Sequence, residues 1–270
     1  MVRSTSRGLL ANLEIDSVPQ GVDETAVGQV ETFVLGAKSV SAAETYVLGL
    51  FQLYETVYLH KTTRGAEKLF TELLTRVFRL VRDEHLHATG LPSNHPLVHF
   101  CDTPDDMSKY LLLDDSTVWG ALPLLASAED KVVSELAQRL AARKLFKCVE
   151  LASEIERQTR PTDSEVNDRR CALAFQRLST WVEENADESY RLLLDRAERA
   201  PYKQFQEAKG PLNQIRIRSP LTGELVDLGE RSPVVKAIRP LQRWRAYYRD
   251  DDPEIREMIL SIIKQVANEN

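Results

Sequence analysis

Several features that would decide the class of this 270-residue sequence are missing from it. No apolar run approaches the ~20 residues that a membrane-spanning helix needs. The opening, Met1 to Asn12, carries Arg3 and Arg7 but no apolar core, so no secretory leader is expected there. Cysteine is scarce: Cys101, Cys148 and Cys171 form no CxxC pair and read as reduced thiols of a cytoplasmic protein. There is no P-loop, no GxGxxG and no GxSxG elbow, and no cysteine has an arguable histidine partner. Repeats and low-complexity tracts are absent too. The net charge of −6 argues against bulk electrostatic binding of nucleic acid, while leaving a local basic site open.

What is present is an ordinary globular composition, 43% hydrophobic and 28% charged. The length suffices for one large domain or two small ones. The patterning predicts a mainly α fold with a smaller α+β C-terminal part: a helical region over 1–145 and a mixed region with short antiparallel strands over 146–270. Leu9 to Ile15 reads as a short helix running into a strand, Pro19 to Asp23 as a turn, and Thr32 to Gly36 as a strand. Ser39 or Ser41 can cap a helix, with Glu44 completing a capping box after Ser41. Ala43, Val47, Leu50, Tyr54 and Val57 then mark a buried stripe, continued by Ala66, Leu69, Phe70, Leu73, Val77 and Leu80. More than 40 residues of helix exceeds the usual length, which predicts a bend near His60.

Asp83 to Thr103 reads as loop, punctuated by Gly90, Pro92 and Pro96. Helices are expected from Thr103-Pro104, from Asp114-Asp115-Ser116, over 127–144, over 164–186 behind Pro161-Thr162-Asp163, and from Asp252-Pro253 to the end. Strands are expected at Leu145–Glu150, Tyr190–Asp195, Gln214–Arg218, Leu225–Leu228 and Arg243–Arg249.

Three groups of residues carry candidate chemistry. At about 100° per residue, His60, Lys61, Arg64 and Lys68 share one arc of a helix, with Tyr54 and Tyr58 at its edge if the helix is continuous. Cations for phosphate beside rings for stacking would suit a nucleotide. A solvated face of an amphipathic helix would look the same. His85, His87, His95 and His99 lack the cysteines or carboxylates of a zinc site and are read as loop residues. Between Pro201 and Arg249 stand ten cations, among them Lys203, Lys209, Arg216, Arg218, Arg245 and Arg249, against four acids. Phosphate contact and outward-facing strand residues explain that excess equally well.

The stretch Tyr54-x3-Tyr58-Leu59-His60-Lys61-Thr62-Thr63-Arg64-Gly65-Ala66-Glu67-Lys68 resembles the YxHK helix of HD-domain phosphohydrolases. The branch is the one that includes bacterial dNTP triphosphohydrolase-like enzymes (dGTPases among them) and the vertebrate sterile-alpha-motif and HD-domain dNTPase. Pro201-Tyr202-Lys203-Gln204-Phe205 through Gly210 to Arg218 is similar to the C-terminal region of bacterial members. The resemblance implies a hydrolase fold, a nucleoside triphosphate partner and a homo-oligomer. It implies that Tyr54, Tyr58 and Arg64 face substrate, and that His60, Lys61 and Lys68 meet nucleotide phosphate. Tyr54 stands where the vertebrate enzyme has a pocket histidine, and Leu59 where it has a glutamine. The family's metal ligands, a histidine, a His-Asp pair and a later aspartate, precede the YxHK helix. Here no histidine precedes His60 and no His-Asp pair occurs, so no catalytic residue is assigned and no metal is expected in this chain. An intact member would hold Mn, Mg, Fe or Zn. The expectation is therefore the C-terminal part of an HD phosphohydrolase, truncated or a remnant and inactive alone. The alternative is a non-catalytic nucleotide-binding or oligomerisation module.

Overall fold

The computed structural model describes residues 7–20, 28–159, 163–202 and 214–269. The strands, in chain order, are β1 (Leu13–Gln20), β2 (Gly28–Leu35), β3 (Lys147–Glu150), β4 (Leu192–Arg199), β5 (Arg216–Arg218), β6 (Leu225–Asp227) and β7 (Leu241–Tyr248). The helices are α1 (Val40–Leu53), α2 (Lys61–Arg82), α3 (Pro96–Asp102), α4 (Met107–Tyr110), α5 (Asp115–Ala126), α6 (Lys131–Ala141), α7 (Leu151–Gln158), α8 (Ser164–Glu184), α9 (Leu228–Arg231), α10 (Pro233–Ala237) and α11 (Pro253–Asn268). The fold is mainly α with a smaller α+β share, as the patterning predicts. No helix among the described residues is long and apolar enough to cross a membrane. Gly21 to Asp23, Pro161, Thr162, Lys203, Lys209 and most of the 201–218 similarity lie outside the described residues.

The chain forms two compact units, 1–59 with 197–242 and 60–196 with 243–270. The boundary falls between Leu59 and His60 rather than near residue 145, because the 60–145 helices share their core with β3 and β7.

In the first unit β1 and β2 pair antiparallel from Leu13↔Leu35 to Gln20↔Gly28. β2 runs parallel to β5, and β5 antiparallel to β6. α1 lays Ala43 and Val47 on Leu35, Ile217, Leu228 and Val235. The Arg218 guanidinium joins Glu14 at 2.9 Å to Asp16 at 2.7 Å and holds the Asp16 carboxyl below its usual range. The Ser41–Glu44 capping box does not form. A 3₁₀ turn precedes α1, and Glu44 accepts a hydrogen bond from Ser232 Oγ instead. After Leu53 the helix widens into one π turn, Tyr54–Tyr58. An extra residue in a turn shifts every later side chain round the axis. Val57 accordingly stands 49% exposed and Leu59 is buried, so the stripe expected through Val57 ends early.

The expected bend at His60 is a full break. His60 is extended (ψ 133°) and caps α2, its Nδ1 accepting from Thr62 N–H at 3.3 Å. In the second unit α2 buries Gly65, Leu69, Leu73 and Val77, one every fourth residue. They meet Leu125 of α5, Val133, Leu136 and Leu140 of α6, and Tyr247 of β7. Each fully buried leucine or valine contributes about 1.5–3 kcal/mol. Asp130 caps α6 by accepting from Val133 N–H and also holds Arg76 at 2.6 Å. The Arg139 guanidinium, 6% exposed, is matched by Glu135, Asp250 and Asp251.

A second core packs α7, α8 and α11 on β7. Strand β7 lies between the two cores: Trp244, Ala246 and Tyr248 face one, Tyr247 the other. α7 follows β3 directly and was not legible, because eight residues hold just two buried positions, Leu151 and Ile155.

The stretch read as loop, 83–103, contains α3, which buries Leu97, Val98 and Cys101. Asp106 rather than Thr103 caps the next helix. Short helices between prolines and glycines give too little periodicity to register. The helix expected over 127–144 is confined to Lys131–Ala141.

Gly65 is required by close approach. A Cβ there would lie 2.8 Å from Tyr247 Cε1. The ring is 1% exposed and its hydroxyl donates to the Lys61 carbonyl at 2.9 Å, so it cannot swing away. Gly65→Val is expected to destabilise the fold by about 1–3 kcal/mol, read as a lower Tm. An unchanged Tm would refute this packing.

Candidate functional site

Tyr54 and Tyr58 lie in the π turn of the first unit, their ring centroids 5.5 Å apart and tilted by 48°. Tyr58 is 53% exposed and Tyr54 half-buried. The break at Leu59–His60 means that no single helical wheel places them with His60.

His60, Lys61, Arg64 and Lys68 belong to the second unit. Arg64 and Lys68, one turn apart on α2, both reach Asp195, whose side chain has no exposure. Arg64 grips it with Nε at 3.1 Å and Nη2 at 2.5 Å, and Lys68 Nζ lies 3.7 Å away. Hydrogen bonding to Asp195 raises the Arg64 pKa above its already high value. Glu67 takes the remaining Arg64 donor at 2.6 Å. These two cations are engaged within the protein.

Lys61 faces elsewhere. It lines a cavity of about 500 Å³ with Thr62, Gly65, Arg143, Leu145, Phe146, Lys147, Cys148 and Tyr248. Lys61 and Thr62 are the first residues of the 22-residue α2, where backbone N–H groups and the helix dipole favour an anion. Lys147 opens β3. Arg143 stands just past α6 with φ 54°, a left-handed position that glycine usually fills. Lys144 N–H closes that turn on the Arg139 carbonyl at 2.8 Å. Among the described residues none of Lys61, Arg143 and Lys147 is paired with a carboxylate. Three cations around one cavity can hold a polyanion, with Phe146 and Tyr248 as aromatic wall. Burial pushes the Cys148 thiol up to about 11, so it lines the site as a neutral group rather than a thiolate.

Sequence reasoning missed Asp195, Arg143 and Lys147. Asp195 had a signal: it is an acid directly after three leucines in a strand. Lys147 had one too, as a cation at the mouth of a strand already recognised. Nothing in the sequence marked Arg143, since its role depends on a turn that normally takes glycine.

The histidine group brings no metal site together. His95 caps α3, its Nδ1 accepting from Leu97 N–H at 3.2 Å. His85 and His87 lie with rings 6.0 Å apart. Among the described residues no three His, Cys, Asp or Glu side chains come close enough to hold a metal. In the 201–249 segment, Arg218, Arg245 and Arg249 pair with carboxylates of their own units.

No family model matches the chain. The uncharacterized protein YwfO of Bacillus subtilis (strain 168) is 26% identical over 230 residues, 82% of this chain and 48% of its own length. A phosphohydrolase from Bacteroides thetaiotaomicron superposes with a TM-score of 0.55 at 22% identity, over 80% of this chain and 52% of that one. The two chains share a fold over that span. A hypothetical protein from Aquifex aeolicus aligns at TM-score 0.48 and 18% identity, over 86% of this chain and 47% of its own. The chain thus spans about half the length of the proteins it matches.

Two outcomes follow from the geometry. Asp195→Ala leaves the half-buried Arg64 guanidinium with only the more exposed Glu67 as counter-charge and should cost about 2–4 kcal/mol in urea unfolding. A cost under about 0.5 kcal/mol would show that the pair is not structural. His95 has its pKa lowered by burial. A depressed folded value gives stability that is present above the ordinary histidine pKa of ~6.5 and is lost as pH falls through the lowered one. Tm should therefore drop between neutral and mildly acid pH, and His95→Asn, which caps without titrating, should flatten that drop. Parallel profiles for the two proteins would contradict it.

Proposed function

We propose that this chain is an HD-superfamily phosphohydrolase-like protein, related to deoxynucleoside triphosphate triphosphohydrolases, and that its own residues hold nucleotide phosphate. The observation that carries this is the cavity at the head of α2, lined by Lys61, Arg143 and Lys147. A volume of about 500 Å³ is in the range of small-molecule sites. Lys61 opens α2, whereas Arg143 and Lys147 lie in the turn after α6 and at the start of β3, so folding and not local sequence brings Lys61 to the other two. The YxHK resemblance and the fold shared with the Bacteroides thetaiotaomicron phosphohydrolase support the same reading.

Within it, Lys61 contacts phosphate, and His60 and Thr62 set the N-terminal turn that presents backbone N–H groups. Arg64 and Lys68 act through Asp195, fixing the rotation of α2. Tyr54 and Tyr58 remain proposed substrate contacts of the first unit. The reading gives no residue of this chain a metal-centred step, since the sequence offers no His-Asp pair. A nucleotide-binding module without chemistry uses the same cavity.

Calorimetry with dGTP and GTP tests the reading. Each charge-assisted contact contributes roughly 1.5–3 kcal/mol, so Lys61→Ala and Lys147→Ala should each weaken binding about tenfold or more. Wild type that binds neither nucleotide, or variants that bind as well as wild type, would sink it.

A further inference from the structure

Around α5 the second unit carries acids that nothing in it neutralises. Asp102, Asp105, Asp106, Asp114 and Asp115 precede or open the helix, and Glu129 follows it. All are exposed except the half-buried Asp106. Among the described residues none of them forms an ion pair. Lys109 is the only cation from 102 to 129, and it donates to Thr103 Oγ1 at 2.5 Å. Hydrogen bonds from Ser108 and from Thr117 hold the Asp106 and Asp114 carboxyls below their usual range, so both stay charged at neutral pH. Elsewhere in the unit the acids Asp130, Asp195, Asp250 and Asp252 each meet an arginine.

These charges border an apolar surface. Ala121, Leu122 and Leu125 of α5 are buried in the core, while Trp119 and Leu124 point outward, 62% and 39% exposed. The turn just ahead adds Met107, Tyr110, Leu111 and Leu112, each 55–72% exposed. Thr117 Oγ1 ties that turn to α5 by donating to the Leu112 carbonyl at 2.9 Å. At about 200 Å² per large side chain, the exposed six present on the order of 700 Å². The largest apolar patch of an ordinary monomer is ~300–600 Å². Gly120 is exposed beside Trp119, and a Cβ there would meet nothing within 4 Å, which leaves a notch in the stripe for an incoming side chain.

The acidic border selects the occupant. It repels an anionic lipid surface and a nucleic-acid backbone. It equally repels a second copy of this chain, which would bring the same acids to the contact. An extended segment has nothing to pair with, since no strand lies between 102 and 129. A helix with one apolar stripe and Lys or Arg at both ends meets each condition. Its stripe covers Trp119, Leu124 and the 107–112 turn, and its cations reach Asp115 at the head of α5 and Glu129 beyond its end. With 12 residues α5 is about 18 Å long, so about three to four turns of the partner span it. We infer that α5 and the turn before it dock a basic amphipathic helix of a partner protein. This does not depend on the nucleotide reading.

Selection on the whole chain from a displayed library of random peptides, about 16 residues long, is the test. Enriched sequences should carry apolar residues three and four apart with Lys or Arg flanking them. A fluorescein-labelled enriched peptide, followed by anisotropy, should bind Trp119→Asp and Leu112→Asp at least ~30-fold more weakly, with their circular dichroism spectra unchanged. Both substitutions add negative charge, so diffuse attraction of a basic peptide to an acidic chain would rise with them, and only docking falls. Asp105→Asn combined with Asp115→Asn should weaken binding about threefold or more and flatten its salt dependence. Leu221→Asp, 90% exposed in the other unit, should leave it unchanged. No enrichment, enrichment of acidic or uncharged sequences, or peptides that bind Trp119→Asp as well as wild type overturn the inference. So does a free chain that sediments at twice its 30.7 kDa mass, or one that binds anionic vesicles, when Trp119→Asp abolishes that association.

Discussion

A carboxylate with no exposure is stable only where its charge is matched, and Asp195 sets that condition for the second unit. Its partners, Arg64 and Lys68, are one turn apart on α2, so satisfying the carboxylate fixes how that helix is rotated about its axis. With that rotation set, Gly65, Leu69, Leu73 and Val77 face inward. Gly65 comes under the Tyr247 ring, and the ring's hydroxyl holds the first carbonyl of the helix. The head of α2 is thereby placed among Arg143, Lys147 and Tyr248, which is what makes the cavity there cationic.

The sequence showed the long elements well and the short ones poorly. α2, α5, α8 and α11 carry several turns of periodicity and side-chain caps at His60, Asp114, Asp163 and Asp252. Of these, Asp114, Asp163 and Asp252 were read as helix starts. α3 and α7 have too few residues for a period to repeat. A bend near His60 was expected from length alone, and the structure has a full break there. The π turn before it was not, because nothing in Tyr54–Tyr58 distinguishes a widened turn from an α turn.

The candidate site was legible at one corner. Lys61 came from the resemblance around YxHK, and the cavity's other cations came only from the fold. Arg143 and Lys147 lie more than 80 residues along, and no local pattern connects them to α2. The wheel grouped four residues that the structure separates by role: Lys61 on the cavity, His60 as a cap, Arg64 and Lys68 on a buried acid. A helical wheel gives direction but not what stands opposite, and the opposite group decided each case.

Strand β7 has a consequence of its own. Along 244–248, neighbouring residues answer to different cores, with Tyr247 on one side and Trp244, Ala246 and Tyr248 on the other. The segment is in effect two interleaved texts read by different audiences. A conservative exchange at one position is judged by one core only. Slipping the strand by a single residue would hand every side chain to the wrong reader at once. Divergent relatives can therefore vary letters along this strand far more readily than they can change its length.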